Sequence, residues 1–353
     1  MMHEELDDIP RMTRIDQSKM IKYILEFPNQ LRTILDSYNS YEPFGVEDVC
    51  ICGVGGSAIA GDILSDYLFD ISTSPVFVMR STHLPKWVRK DTLVIVVSYS
   101  GNTIEALASF KDALRRGCRI VCITSGGKLM EICHSLSLQY LELPKNIMPR
   151  AAIGYLLGAL AIVLDREGIA SIVSELKSKL SELESYVRVC SPEIPSNSNE
   201  AKKLAKRLYG HLPVICTQRN LRAIAARWQS QINENAKMLA FHSEIPEMNH
   251  NQIVGWLEGE YGPECLPVFL RGSSTDSVLS TMIDVTIRMF ERSNSNAVIV
   301  DIPGEDILSC ILNGIALGDF VSYYLAILKG IDPTPIHSIS ELKSNLSGHL
   351  IID

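Results

Sequence analysis

The chain has 353 residues, of which 46% are hydrophobic and 21% charged, and its formal net charge is −8. This composition is that of a globular protein long enough for two domains. The acidic balance, with no long basic run, argues against nucleic acid or an anionic membrane as the main partner.

The N-terminal residues, the apolar segments and the cysteines indicate the cellular compartment and the kinds of site to expect. The first twelve residues are acidic and contain no apolar core, so we expect no signal peptide. No stretch of about 20 apolar residues stands out, so we expect no transmembrane helix. The nine cysteines form no CxxC pair and no Cys/His spacing typical of a metal site. We therefore expect reduced, mostly buried cysteines in a cytoplasmic protein, with no metal and no cofactor.

The first half of the chain alternates between helix and strand patterns. Residues 1–40 are predicted as a helical segment, which Pro28 interrupts. Short apolar runs then follow at regular spacing, and their length favours buried strands over helices. The predicted strands lie at 49–52, 76–79, 94–97, 119–124 and 138–143. Strands that alternate with helices in this way predict a first domain, residues 41–150, built on a doubly wound parallel sheet.

The second half repeats this alternation more weakly. Residues 151–196 are predicted as linking helices, and a Pro/Ser/Asn-rich stretch at 191–199 marks the boundary. A second domain, 197–330, contains predicted strands at 213–217, 265–270 and 297–301 and predicted helices at 219–238 and 307–329. The tail, 331–353, turns at two prolines and ends in a short helix. The predicted fold class is therefore α/β, with two doubly wound domains whose parallel sheets are flanked by helices.

The hydroxyl-rich turn Ser98–Thr103 is the most informative motif of the sequence. It follows the apolar run Val94–Val97 and precedes a helical pattern that begins at Ile104. Backbone N–H groups and the helix dipole favour an anion at such a place, and open α/β sheets bind ligands there. The turn contains no lysine or arginine. It therefore predicts a site for a phosphate monoester held by hydroxyls and backbone, not for a nucleotide triphosphate.

A glycine-rich turn, Gly53–Ser57, follows the first predicted strand. It is similar to a dinucleotide-binding fingerprint, but the spacing of its last glycine differs. The second strand ends in Met79 and Arg80, where that fingerprint needs an acidic residue. A nicotinamide cofactor is therefore disfavoured, and a tight turn without a ligand is the alternative to a turn that approaches a phosphate.

Four further places carry residue types suited to catalysis. Glu234 stands between two asparagines on a helix, where a carboxylate can act as a base. His250, also flanked by asparagines, can shuttle protons, and Arg150 can bind a phosphate or stabilise an oxyanion. From the residue types alone, a solvated surface charge is the favoured interpretation of Glu234 and a surface residue that of His250, and a surface charge is an equal alternative for Arg150. The same holds for Glu244, Glu247, His337 and Lys343.

Seven motifs gain meaning when they are taken together. They are GVGGSAIAGD (53–62), VVSYSGNT (96–103), ITSGG (123–127), PRAAIGYLLG (149–158), QINENAK (231–237), PEMNHNQIVGW (246–256) and DPTP with ELK (332–343). Together they resemble the archaeal and bacterial bifunctional phosphoglucose/phosphomannose isomerases of the sugar isomerase (SIS) domain superfamily. The first two motifs are common to the superfamily, whereas QINENAK and PEMNHNQIVGW are more specific to the isomerases. The resemblance extends from about residue 45 to the end.

The resemblance implies two SIS domains in a homodimer whose active sites lie at the subunit interface. It implies a metal-independent interconversion of glucose 6-phosphate, and of mannose 6-phosphate, with fructose 6-phosphate through a cis-enediol. The residues that it assigns to phosphate binding are Gly55, Gly56, Ser57, Ser98, Ser100 and Thr103.

The resemblance also implies a role for each catalytic residue. Glu234 would move a proton between C1 and C2, and Arg150 would stabilise the enediolate. His250, reaching the site from the partner subunit, would assist ring opening, and Lys343 would contact the ring oxygen. Thr334 is a candidate for the residue that permits mannose 6-phosphate.

Two other functions remain as alternatives. A non-catalytic SIS-domain sugar-phosphate sensor would usually carry an effector domain, and it would not need Glu234 and His250. Another SIS-type isomerase, such as one for aminosugars, would usually bring a glutaminase domain with an N-terminal cysteine nucleophile, which this sequence does not show. The first 40 residues and the stretch at 240–245 match no motif of the family.

Overall fold

The computed structural model describes residues 5–37, 41–260, 264–273, 276–293 and 296–349. The chain forms two compact units. The five-stranded unit comprises Glu26–Leu180 and Ile336–Asp353, and the four-stranded unit comprises Met1–Leu25 and Ser181–Pro335. The predicted domain limits, 41–150 and 197–330, stay a prediction.

Fourteen helices and nine strands lie within the described residues. The helices are α1 (Ile9–Ile15), α2 (Met20–Leu25), α3 (Phe27–Ser37), α4 (Gly56–Leu68), α5 (Ile104–Arg116), α6 (Gly127–Leu136), α7 (Ile153–Arg166), α8 (Ile172–Val189), α9 (Glu200–Leu208), α10 (Arg222–Ala236), α11 (Gln252–Leu257), α12 (Ser277–Arg292), α13 (Ile307–Leu328) and α14 (His337–His349). The strands are β1 (Val49–Cys52), β2 (Val76–Met79), β3 (Leu93–Val97), β4 (Arg119–Thr124), β5 (Tyr140–Glu142), β6 (Leu212–Gln218), β7 (Phe241–Ile245), β8 (Cys265–Arg271) and β9 (Val298–Asp301).

The first sheet has five parallel strands in the order β2-β1-β3-β4-β5. Every residue of β1 and β3 is buried, whereas the edge strands β2 and β5 are partly exposed. Burial on both faces explains why the central strands are uninterrupted apolar runs. The five strands predicted for this half are confirmed, and so is the break near Pro28, since α2 ends at Leu25 and α3 begins at Phe27. Residues 1–4 and 38–40 of the predicted helical segment lie outside the described residues.

Asp112 ties helix α5 to the loop that follows β2. Its carboxylate accepts the Leu84 N–H at 2.9 Å and pairs with Arg115 and Arg116. Burial of this carboxylate raises its pKa, but the Leu84 amide and the two guanidinium groups outweigh that effect and lower the pKa to about 2. Since the ordinary value is 3.8, Asp112 stabilises the fold above that pH, and the stabilisation is lost as the pH falls toward 2.

We expect Asp112→Asn to remove about 2 kcal/mol of stability at neutral pH and to flatten the acid limb of the stability curve. Urea unfolding at a series of pH values measures both effects. Asp36→Asn is the matched control, because Asp36 forms only an exposed pair with Lys177. An acid limb with the wild-type slope in Asp112→Asn would contradict this account.

The second sheet has four parallel strands in the order β7-β6-β8-β9. Counted within their own unit, these strands follow the order 2-1-3-4, which is also the order of the first four strands of the other sheet. The α/β fold class with two parallel sheets is therefore confirmed. Strand β7 falls on the stretch that the sequence left unassigned. Its polar, half-exposed residues are those of an edge strand, and they lack the apolar run of a central one.

Helix α13 is the central helix of the four-stranded unit. Its 22 residues are long and apolar enough to cross a membrane by length and composition, so the prediction that no such segment exists was wrong. All residues of that apolar window are buried inside the protein, against α9, α10 and α2. A helix that is apolar on every side is typical of the core as well as of a membrane span.

Candidate active site

The residues predicted to bind phosphate lie at the carboxyl ends of β1 and β3. These strands are hydrogen-bonded neighbours, with Cys52 opposite Val96, so the turns that follow them meet. Gly53 marks the closest approach, because an ideal Cβ at this position would lie 2.9 Å from the Val97 carbonyl oxygen. The sequence of the two strands therefore positions both turns at one end of the sheet, where α/β proteins bind ligands.

The turn Ser98–Thr103 is held by its own hydroxyls and amides. The buried Ser98 hydroxyl donates to Thr103 Oγ1 at 2.9 Å, and the Gly101 N–H donates to the Ser98 carbonyl at 3.0 Å. The Asn102 N–H donates to Ser100 Oγ at 3.3 Å, while the Ser100 side chain is exposed. The turn thus presents Ser100 to solvent on a fixed backbone.

The glycine turn before α4 lies against the same place. The Ser57 hydroxyl accepts the Tyr99 N–H at 3.2 Å, which joins the two turns directly. Gly55 has φ of +54°, a conformation that favours glycine. A Cβ on Gly56 would lie 2.9 Å from the backbone of Pro149, so only glycine allows the segment that carries Arg150 to approach. The structure therefore brings Gly55, Gly56 and Ser57 together with Ser98–Thr103 and the Arg150 backbone.

The turn after β4 braces this site, and its role was missed by sequence reasoning. Ser125 donates both its N–H and its hydroxyl to the Tyr99 carbonyl, at 2.9 and 2.7 Å. Gly101 has φ of +69°, and a Cβ there would lie 1.7 Å from the Gly126 carbonyl oxygen. Lys128 N–H donates to Asn102 Oδ1 at 2.9 Å. The motif at 123–127 was visible in the sequence, but its contacts depend on the pairing of β3 with β4.

The electrostatics of these turns suit an anion. Helices α4 and α5 begin here, and within this described part of the chain no side chain caps the first turn of either helix. The positive ends of two helix dipoles therefore point toward the Ser57 and Thr103 positions. Arg150, in the short 3₁₀ turn Pro149–Ala151, is 4% exposed, and its backbone nitrogen lies beside Gly56. Two uncapped helix starts and several hydroxyls make a site for a phosphate or an oxyanion.

Glu234 lies in the last turn of α10, in the four-stranded unit, and is half-buried. Its two neighbours are fixed by hydrogen bonds. Asn233 Oδ1 accepts the Ala240 N–H at 2.9 Å, and the fully buried Asn235 donates to Ser322 Oγ at 3.0 Å. These contacts hold the Glu234 backbone in place. The Glu234 side chain lies at the edge of the buried face of the helix, partly exposed to solvent.

A ladder of buried polar groups fixes α10 against α13. Arg227 and Asp319 form a two-fold hydrogen-bonded ion pair at 3.1 and 2.7 Å, and they are only 2% and 3% exposed. Gln231 donates to the same carboxylate at 2.8 Å. Burial raises the pKa of the Asp319 carboxyl, and the Arg227 guanidinium and the Gln231 amide oppose that rise. Because the ladder runs from Arg227 to Asn235, it sets the register of the helix that carries Glu234.

Lys237 closes the end of α10. It adopts a left-handed conformation with φ of +50°. Its ammonium donates to the carbonyls of Asn235, Asp332 and Pro333 at 3.2, 3.1 and 3.0 Å. The lysine of the QINENAK motif therefore joins the segment 332–333 to the helix end beside Glu234.

His250 lies in the 3₁₀ turn Glu247–His250, after a cis peptide bond between Ile245 and Pro246. The buried Met248 anchors this turn, and Asn249 exchanges hydrogen bonds with Thr286 of α12 at 2.9 and 3.1 Å. The His250 side chain is exposed. The turn therefore holds the backbone firmly and presents the imidazole outward.

The remaining candidates are spread over both units. Glu247 accepts a hydrogen bond from Asn251 at 2.7 Å, and Glu244 lies 3.8 Å from the Arg222 guanidinium. Lys343 is an exposed residue of α14, and His337 is exposed at the start of that helix. Thr334 is half-buried, and its N–H donates to Asp332 at 3.0 Å.

The predicted site residues therefore fall into two groups, and each group lies within one unit. The phosphate-binding candidates and Arg150 belong to the five-stranded unit, as does Lys343 on α14, whereas Glu234 and His250 belong to the four-stranded unit. Among the described residues, no group of three or more histidine, cysteine, aspartate or glutamate side chains is placed to hold a metal ion.

Family models match both halves of the chain. Residues 46–129 match the SIS domain, and residues 197–346 match the bacterial phospho-glucose isomerase C-terminal SIS domain. A bifunctional phosphoglucose/phosphomannose isomerase of Aquifex aeolicus is 33% identical over 304 residues, which cover 85% of this chain and 91% of that protein. A D-glucosamine-6-phosphate 4-epimerase of Sulfolobus acidocaldarius is 30% identical over 247 residues, which cover 68% of this chain and 74% of that protein.

Solved structures share the fold at low sequence identity. The crystal structure of a hypothetical protein from Thermus thermophilus superimposes on this chain with a TM-score of 0.75 at 17% identity. The match covers 98% of this chain and 94% of that protein. This likeness concerns the fold alone, and it supports a chain of two parallel-sheet α/β domains.

Proposed function

Because the chain belongs to the family of bifunctional phosphoglucose/phosphomannose isomerases, we propose that it interconverts glucose 6-phosphate and mannose 6-phosphate with fructose 6-phosphate. The observation that carries the proposal is the joint presence of a hydroxyl-lined anion site and the NENAK and NHN motifs. A sugar-phosphate sensor would need the first of these features only. The family relationship therefore supports an isomerase over a sensor.

In the proposed mechanism the phosphate is held away from the reacting carbons. Ser57, Ser98, Ser100 and Thr103, with the N–H groups at the starts of α4 and α5, receive its oxygens. Gly55 and Gly56 allow the backbone to approach closely. Such remote binding energy holds the sugar in position while the reaction takes place at C1 and C2.

The reaction needs ring opening followed by a proton transfer. His250, which we propose reaches the site from the partner subunit, moves the proton between O1 and the ring oxygen, and Lys343 contacts the ring oxygen. Glu234 then takes the proton from C2 and returns it to C1. Glucose 6-phosphate and mannose 6-phosphate differ only at C2, so both give the same cis-enediol. Arg150 stabilises the negative charge of that intermediate without a proton transfer of its own.

The location and assembly of the protein are part of the proposal. A homodimer with shared active sites follows from the proposed role of His250 of the partner subunit. A cytoplasmic location is supported by the nine cysteines, all of which are thiols and seven of which are buried. Thr334 stays our candidate for acceptance of mannose 6-phosphate.

The test is an assay of the pure protein with fructose 6-phosphate, in the presence of a chelator, with separate detection of glucose 6-phosphate and mannose 6-phosphate. We expect both products. No turnover would overturn the isomerase proposal, and glucose 6-phosphate alone would remove the dual specificity only. Loss of turnover on chelation, with recovery on metal addition, would contradict the metal-independent mechanism.

The Sulfolobus relative favours a second candidate, a reaction at C4 of glucosamine 6-phosphate. The assay therefore includes glucosamine 6-phosphate as a separate substrate, with the products identified by NMR. Conversion of this compound, with no turnover of fructose 6-phosphate, would replace the first proposal by the second.

Ser100→Ala is expected to raise KM about tenfold and to change kcat little, because the lost hydrogen bond goes to the phosphate and not to the reacting carbons. Steady-state kinetics with fructose 6-phosphate measures both constants. Ser135→Ala, on α6 of the same unit, is the control, since this exposed hydroxyl contacts only the Ile132 carbonyl. A fall in kcat at unchanged KM would contradict the phosphate role.

A further inference from the structure

A pocket of about 280 Å³ lies between helices α1, α2 and α13, within the four-stranded unit. Ile9, Met12 and Ile21 form its apolar wall, and Tyr323 of α13 lies against that wall; we call it the α1–α13 pocket. Helices α1 and α2 belong to the first 40 residues, which match no motif of the family, so the pocket has no part in the mechanism proposed above. Its volume is just below the roughly 300–1,000 Å³ of pockets for drug-sized ligands and therefore suits a smaller molecule.

Tyr323 presents an unsatisfied hydroxyl to this pocket. The side chain is only 1% exposed, and among the described residues its hydroxyl has no hydrogen-bond partner. Burial raises the pKa of Tyr323, and the carboxylates of Asp16, Asp332 and Glu193 add to the rise. Because Asp16 and Glu193 line the pocket, the hydroxyl lies at the pocket end of the ring. A buried hydroxyl without a partner costs free energy, which a ligand with a polar group would lower.

Asp16 is a buried carboxylate that is not paired with a cation. It is 3% exposed, and its two oxygens accept the N–H groups of Met20 and Ile21 at 2.8 and 3.0 Å, at the start of α2. Within the part of the chain that the structure describes, Asp16 forms no ion pair. Burial raises the pKa of this carboxyl, the two backbone amides oppose the rise, and the charge of Asp332 adds to it. Since buried charges are normally paired, Asp16 favours a cation at this place.

Two lysines at the outer edge of the pocket do not reverse this preference. Lys19 and Lys22 line the pocket but are exposed, and neither pairs with Asp16. The charges that shift the pKa of Tyr323 are all carboxylates. Solvent and salt screen the exposed ammonium groups, whereas the buried carboxylate is screened much less. The interior of the pocket therefore favours a positive group, and its wall favours an apolar body.

The pocket is connected by hydrogen bonds to the end of α10. Ser18, two residues after Asp16, donates its hydroxyl to Asp332 Oδ2 at 2.8 Å. The Lys237 ammonium donates to the Asp332 carbonyl at 3.1 Å, and Lys237 follows the helix that carries Glu234. The charge of Asp332 raises the pKa of Asp16, so the two carboxylates repel each other. A cation on Asp16 would reduce this repulsion and strengthen the contact of Ser18 with Asp332.

We propose that the α1–α13 pocket binds a small organic cation, a protonated amine on an apolar body, with the charged group between Asp16 and Tyr323. The ammonium donates to the Asp16 carboxylate and to the Tyr323 oxygen, while the apolar body packs against Ile9 and Met12. Occupation of the pocket is transmitted through Ser18 to the end of α10.

Three compounds of one shape and different charge test the preference of the pocket: cyclohexylammonium, cyclohexanol and cyclohexanecarboxylate. In calorimetry at neutral pH, cyclohexylammonium is expected to bind about tenfold or more tightly than cyclohexanol, because a charged pair is added to the same apolar contact. The carboxylate is expected not to bind. No binding of cyclohexylammonium, or equal binding of all three compounds, would overturn the proposal. Tightest binding of the carboxylate would also overturn it and would assign the pocket to Lys19 and Lys22.

Two variants locate the bound cation. Asp16→Asn keeps an acceptor for the start of α2 but removes the charge, so it should weaken binding of cyclohexylammonium about tenfold and leave that of cyclohexanol unchanged. Tyr323→Phe keeps the ring and should weaken binding of the cation about threefold. Asp276→Asn is the matched control, because Asp276 accepts two backbone N–H groups of α12 at 2.8 and 3.0 Å. Circular dichroism verifies that the variants are folded. Wild-type affinity in both pocket variants, or an equal loss in Asp276→Asn, would contradict the site.

Hydrogen exchange tests the connection to α10. Cyclohexylammonium is expected to slow exchange of the backbone amides around Lys237 about threefold or more. Ser18→Ala should bind the cation with wild-type affinity but lose this slowing. Unchanged exchange in the wild type, or slowing that persists in Ser18→Ala, would overturn the connection. Neither measurement uses a hexose phosphate, so the outcome is independent of whether the proposed isomerase reaction takes place.

Discussion

Glu234→Gln is expected to lower kcat for fructose 6-phosphate by roughly 10²–10⁴-fold, because an amide cannot accept the proton that this ketose gives up at C1. The substitution keeps the shape of the side chain, and the contacts that hold its neighbours Asn233 and Asn235 do not involve the carboxylate. The phosphate candidates lie in the other unit. Affinity for a non-reacting analogue such as sorbitol 6-phosphate should therefore change by no more than about threefold. Steady-state kinetics and calorimetry measure the two quantities.

The control for Glu234 is Glu200→Gln, at the start of α9 in the same unit. Glu200 is exposed and pairs only with Lys203, so this change should leave kcat unaffected. Exchange of a C1 proton of fructose 6-phosphate with solvent gives a second readout, since it reports proton abstraction even when product release is slow. Rates near the wild type in Glu234→Gln would move the base role to Glu244 or Glu247.

Asp319→Ala is expected to lower the free energy of unfolding by about 3–5 kcal/mol, because it leaves the Arg227 guanidinium buried without its carboxylate. Both side chains are almost fully buried, and Gln231 would lose its acceptor as well. Unfolding in guanidinium chloride, followed by circular dichroism, measures the loss. Asp36→Ala, which breaks the exposed pair with Lys177, should cost less than about 1 kcal/mol.

A double variant separates the ion pair from the packing. Replacing Arg227 with methionine and Asp319 with leucine removes both charges while the volume stays similar, and such replacements are often close to neutral. The double variant should therefore be more stable than Asp319→Ala. If the two changes simply add, the pair is not coupled and our account of the ladder is wrong.

Under the proposed role of Glu234 as the base, the same ladder links the stability of the fold to the rate of the reaction. It fixes the register of α10, and α10 carries Glu234 in its last turn. A looser helix would displace the carboxylate, and small displacements of a catalytic group are costly to the rate. The Asp319 variants should consequently show a lower kcat for fructose 6-phosphate under conditions in which they are still folded.

Strands and turns were the most predictable part of the molecule. A run such as Val94–Val97 can only be buried on both faces, so its strand state and its central place in a parallel sheet follow from composition alone. The hydroxyls at Ser98–Thr103 were predictable as an anion site because a strand and a helix meet there. By contrast, Glu234 and His250 were distinguishable from surface charges only through the family resemblance.

Several elements were missed because their signal lies in a partner segment. Apolar and polar residues alternate only weakly along β7. The segment is a strand because it pairs with β6. Helix α12 was left unassigned, and its apolar residues lie both on the core face and on an exposed face. Helix α13 was predicted at 307–329, but the hydrogen-bond partners of its buried residues Asp319 and Asn313 lie elsewhere in the unit and were not predictable.

The sequence by itself determined the α/β class, the central strands and the two turns that we propose bind the phosphate, since each depends on local composition and on neighbours a few residues away. The tertiary structure alone decided which groups meet. The Tyr99 N–H donates to the Ser57 hydroxyl, and Gly101 packs against the Gly126 carbonyl. Arg227 pairs with Asp319, which lies 92 positions further along the chain. The physical reason is that hydrogen bonds and close packing act between groups near in space, whereas periodicity along the chain records only which side of an element is buried.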